Sequence, residues 1–62
     1  MGLRYKICKY ENRYAIRDKW HKHLIRKDGE DKPLKSIDDA LLFDYYAQAL
    51  LVCSMMNNKL NE

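Results

Sequence analysis

Two short alternating runs with only two residues between them restrict this chain more than any other feature. From Leu3 to Tyr10 the apolar positions Leu3, Tyr5 and Ile7 alternate with Arg4, Lys6 and Cys8. From Arg13 to Trp20, Tyr14, Ile16 and Trp20 alternate with Arg13, Ala15, Arg17 and Lys19. A period of two marks a strand buried on one face. Glu11-Asn12 is the right length for a two-residue hairpin loop, and Asn tolerates the positive φ such loops need.

That loop fixes a register. Ile7 faces Ile16, Lys9 faces Tyr14, Tyr5 faces Asp18 and Leu3 faces Trp20, which makes these the core side. On the other face Lys6 meets Arg17, Arg4 meets Lys19, Cys8 meets Ala15 and Tyr10 meets Arg13. Like charges directly opposite one another cost a sheet a few tenths of a kcal/mol (~0.2–0.5). A bound anion would compensate for two such pairs.

Trp20 to Lys27 is expected to add a third strand over about 21–27, with the inward choice between Leu24 and Ile25 left open. Asp28 to Lys35, with its Asp-Gly and Pro33, is a loop. Ser36-Ile37-Asp38-Asp39 reads as a capped helix start, and the chain from Ile37 to Met56 contains no Gly or Pro. Asn57-Asn58 is expected to end that helix. The reading is α+β: a single domain over 1–62, a three-stranded antiparallel β-sheet with strands at about 3–10, 13–20 and 21–27. One long C-terminal α-helix, about 37–57, packs on one sheet face.

Sixty-two residues leave room for one small core and little for an enclosed pocket. Such a helix, apolar on several sides between Ala40 and Met56, exceeds what three strands can cover. The stripe Leu42, Tyr46, Ala49, Cys53 and Met56 is therefore the expected dimer or partner interface, with a homodimer preferred.

Charge divides the chain in two. Residues 1–27 carry nine Lys and Arg against Glu11 and Asp18, a net +7, and residues 28–62 carry a net −4. Basic segments of this kind meet phosphate, acidic proteins or anionic surfaces. Arg4, Lys6, Arg13, Arg17 and Lys19 on the outer sheet face are the candidate contacts to nucleic acid backbone. Duplex is favoured over single strand, because the register sends Tyr5, Tyr14 and Trp20 to the core side and leaves only Tyr10 for stacking. An acidic protein is the alternative ligand. The alternative function is a protein–protein module, an inhibitor or adaptor of the kind small mobile elements encode, docking through the helix or the basic face.

No enzymatic activity, cofactor or metal is expected. His21 and His23 share one side of a strand, but two ligands, even with Cys8 or Asp18 nearby, do not make a metal site. The same histidines could serve as base and acid on phosphate, yet no pocket supports that chemistry. No glycine-rich phosphate loop or nucleophile–base pair is present. Cys8 and Cys53 read as two reduced thiols rather than a scaffold disulfide. No apolar run approaches the ~20 residues of a membrane span. Arg4, Lys6 and Lys9 interrupt any leader-like stretch, so a cytoplasmic setting is expected.

Overall fold

The computed structural model describes residues 3–30 and 32–60. Asp31 of the expected loop and the ends of the expected domain lie outside the described residues. The fold is an antiparallel sheet followed by one C-terminal helix, as its sequence indicates, with one strand more and a shorter helix. Strand β1 spans Tyr5–Tyr10, β2 Arg13–Asp18 and β3 His23–Leu24. A 3-10 turn at Ile37–Asp39 leads to β4, Leu42–Phe43, and helix α1 spans Tyr46–Leu60. The sheet order is β1-β2-β3, with β4 also pairing with β2.

The hairpin register is the expected one at every ladder position, from Tyr5 opposite Asp18 to Tyr10 opposite Arg13. The loop takes its positive φ at Glu11 (53°). Ile16 and Ile25 form the core with Cys53 of α1, and Tyr5, Ile7, Phe43, Val52 and Met56 close around them. The open choice in the third strand is thereby resolved. Ile25 points inward, whereas Leu24 sits opposite Arg17 on the other face.

The expected helix start is corrected. Ser36 does cap, accepting a bond from the Asp38 N–H at 3.1 Å, but it caps a single 3-10 turn. Ala40 is then extended, and Leu42–Phe43 pair with Ala15 and Tyr14. The reason is an open edge. β3 covers only Arg17 and Asp18 of β2, so the groups of Tyr14 and Ala15 would be left unpaired. Ala15 is 0 % exposed, and orphaned backbone there would cost about 1–3 kcal/mol. Completing the ladder outweighs the modest helix preference of residues 40–43. Leu41 N–H to Ile25 O (2.9 Å) and Lys27 N–H to Asp39 O (2.8 Å) join the same segment to the chain beyond β3.

Neither does the helix end at Asn57. It continues to Leu60, and Asn57 is buried within it. The Asn57 Oδ1 accepts from Tyr5 N–H at 3.0 Å, and its Nδ2 donates to Tyr5 C=O at 3.1 Å. Across the ladder Arg4 C=O accepts from Lys19 N–H, so its neighbour Tyr5 directs its backbone groups to the open edge of β1. The carboxamide thus stands in for a missing strand and fastens α1 to the sheet. Asn57→Leu should remove both bonds to the Tyr5 backbone, costing roughly 2 kcal/mol and about 8–16 °C in Tm. A thermal melt within ~2 °C of wild type would show that the contact carries no stability.

Two expected core residues are exposed. Trp20 is 65 % and Leu3 57 % accessible, because β2 stops at Asp18 and the chain turns there. Both thiols are free, Cys8 half-buried and Cys53 buried. Among the described residues, no helix is long and apolar enough to cross a membrane.

Candidate nucleic-acid interface

Helix α1 covers the inner sheet face, so the other face supplies whatever surface the strands present. Its expected basic residues have separated. Lys6 and Arg17 are directly opposite, Lys6 exposed and Arg17 half-buried, and among the described residues neither has a carboxylate within ion-pair distance. Around Ala15 the same face is apolar, with Cys8, Leu24 and Leu42 all half-buried. Arg13 lies at the hairpin end and bonds Asp44 at 3.3 Å, both side chains well exposed. Ile37 and Asp38 of the 3-10 turn border the same end. An exposed pair of that kind contributes about 0–1 kcal/mol and yields readily.

Arg4 has left the face altogether. The chain bends at Arg4, ahead of β1, and its guanidinium turns to Asp18. Its Nη2 donates to Oδ2 at 2.9 Å, and Nε reaches both carboxylate oxygens at 3.2 Å. Asp18 is 0 % exposed. Its Oδ1 also accepts from Trp20 N–H at 2.9 Å and His21 N–H at 3.3 Å. His21 Nδ1 lies 2.9 Å from Oδ2. Arg4 Nη2 lies 3.0 Å from the same Nδ1, so guanidinium, imidazole and carboxylate meet in one cluster. Burial pushes the Asp18 carboxyl up, but the bonds from Arg4, then from the His21 backbone and ring and from Trp20 N–H, hold it well below the usual carboxylate range.

This buried anion organises the turn from 18 to 23. Lys22 N–H closes on Asp18 C=O at 2.7 Å, which holds Lys22 at φ 62°. The Arg4 guanidinium lies over two rings, with Cζ 5.1 Å from the Tyr5 centroid and 4.7 Å from that of Trp20. His21 and His23 stack nearly parallel, with ring centroids 5.7 Å apart. The turn therefore displays Lys19, Trp20, His21 and Lys22 on a rigid base, at the end of the sheet next to the Lys6–Arg17 pair.

The interface expected on the helix is also rearranged. Leu42 belongs to β4, and Ala49 and Cys53 are buried within this chain, with Met56 packed beside them. Tyr46 meets Tyr14 edge-on at 5.5 Å. Apart from Tyr46, which is exposed, the helical part of this stripe faces inward, because nine residues of the expected helix, 37–45, lie outside α1 and the remaining helix needs the stripe to reach the sheet. Tyr46, Leu50, Leu51 and Met55 are large apolar residues that α1 exposes. Among the described residues no group of three or more His, Cys, Asp or Glu could hold a metal ion.

Sequence reasoning missed the Asp18 hub and the exposure of Trp20. A signal existed: an Asp at a strand end readily forms an Asx turn, in which the carboxylate bonds the backbone N–H two residues on, as Asp18 does with Trp20. Compared with protein-family models, curated proteins and solved structures, the chain matches none.

Proposed function

We propose that this chain is a small non-enzymatic binding protein that contacts the phosphate backbone of nucleic acid through Lys6 and Arg17, with Lys19 and Lys22 beside them. The observation that carries this reading is the cross-strand Lys6–Arg17 pair: two cations held opposite each other with no carboxylate at ion-pair distance among the described residues. Repulsion between them disfavours the free protein slightly and is relieved when an anion binds. Arg13 can join by releasing Asp44, whereas Arg4 is committed to Asp18.

The test is affinity for random-sequence duplex and for an unstructured oligonucleotide across a salt series. Each phosphate contact should add a slope of about −0.9 on duplex and about −0.7 on single strand, in log affinity against log salt. Two to four contacts correspond to a duplex slope of roughly −2 to −4. Absence of binding to either at low salt would overturn the reading.

Self-association is the second element, supported by the uncharged run from Tyr45 to Asn58 that exposes Leu50, Leu51 and Met55. On a chain of net charge +3, an uncharged face is where a second copy meets least repulsion. Sedimentation equilibrium should report a dimer at high micromolar concentration, shifted to monomer by Leu51→Glu. A wild-type monomer there would remove the homodimer.

A further inference from the structure

We propose that the 18–23 turn is a base-stacking site, so that the preferred nucleic acid is single-stranded; this rests on the phosphate-contact reading above. A large aromatic side chain is costly to leave in water, yet the indole of Trp20 is 65 % exposed. It is nevertheless held. The backbone N–H of Trp20 bonds Asp18 Oδ1 at 2.9 Å, which fixes the main chain that carries the ring, and the Arg4 guanidinium lies over the ring with Cζ 4.7 Å from its centroid. Arg4 is in turn locked to a carboxylate with no exposure at all. A buried ion pair has thus been committed to positioning one surface ring.

The surroundings specify the ligand. Lys19 and Lys22 flank Trp20 and, among the described residues, make no ion pair. The only carboxylate in the turn, Asp18, is buried and neutralised. A rigid ring between cations matches a base between phosphates, and ring-on-base stacking tolerates any sequence. In a duplex the bases are already stacked on one another, so the ring has no face to meet and only the lysines engage. The expectation that duplex is preferred rested on placing Tyr5, Tyr14 and Trp20 on the core side; Tyr5 and Tyr14 are half-buried, whereas Trp20 is exposed.

Trp20 is the only tryptophan in the chain, so its emission reports on the site directly. Oligothymidylate, oligouridylate and a duplex of the same length should be titrated into the full chain at low salt. Either single strand should quench the indole, and the duplex should bind with little change in emission. Trp20→Ala, checked for folding by circular dichroism and titrated by the anisotropy of a labelled oligonucleotide, as is Trp20→Phe, should weaken single-strand binding about tenfold and duplex binding less than twofold. Trp20→Phe keeps a ring over Arg4 and should recover most of that loss, which separates stacking from damage to the fold. Unchanged emission on single strand, or equal loss on both ligands in Trp20→Ala, would overturn the stacking site while leaving phosphate contact intact. Binding of neither ligand would overturn both, as would quenching by polyglutamate but by no oligonucleotide.

Discussion

Asp18→Asn is expected to remove roughly a third or more of the domain's stability. The amide retains one acceptor oxygen but replaces the other with a donor aimed at Arg4, which is a donor itself. It also removes the counter-charge of a guanidinium whose side chain is only 14 % exposed. Removing one partner of a buried pair costs about 3–5 kcal/mol. At roughly 0.05–0.15 kcal/mol per residue, a domain of this size has only about 3–9 kcal/mol in total. Urea titration followed by circular dichroism should show the loss; a shift below ~1 kcal/mol would mean that the hub is not what holds this end of the sheet.

The same group fixes the acid limb of the stability curve. The Asp18 carboxyl lies below its ordinary 3.8 in the fold and near that value in the unfolded chain. Its contribution is therefore fully present above pH about 4 and is lost as pH falls below 3.8 towards the folded value. Wild type should lose stability over that range, and Asp18→Asn, measured in stabilising osmolyte, should show a flatter acid limb.

Lys6→Glu should move stability and binding in opposite directions. It places a carboxylate directly across from Arg17 and converts a repulsive pair into an attractive one, worth about 0.2–1 kcal/mol. Nucleic acid affinity should fall at least roughly tenfold at low salt, and the salt slope should shrink by about 1–2, since one contact is lost and a repulsion introduced. A stabilised variant with unaltered affinity would remove this face from the interface. A destabilised one would mean that Lys6 has a structural role its exposure does not suggest.

Different parts of the fold were legible to different depths. The hairpin could be read to the residue, because a two-residue loop leaves alternating strands a single register and a slip would turn Ile7 and Ile16 outward. The helix was legible as an element but not in its bounds. Ser36, Asp38 and Asp39 carry good capping chemistry, yet they end in a 3-10 turn because the unpaired edge of β2 recruits Leu42 and Phe43. No local pattern encodes that vacancy; it arises only once β3 proves two residues long. The candidate interface divided in the same way. Lys6 and Arg17 followed from the register, whereas Arg4 was drawn away by a carboxylate fourteen positions along the chain.

What the amino-acid sequence determined by itself is therefore what depends on near neighbours: the alternation, the turn, the register and the pairing of like charges across it. The tertiary structure decided everything that depends on satisfying buried polar groups across long separations. Asn57 completes the edge of β1, β4 completes that of β2, and Arg4 neutralises Asp18. The physical reason is common to all three. A buried donor, acceptor or charge must find a partner wherever the chain can supply one, and that cost exceeds the local preferences that a sequence displays.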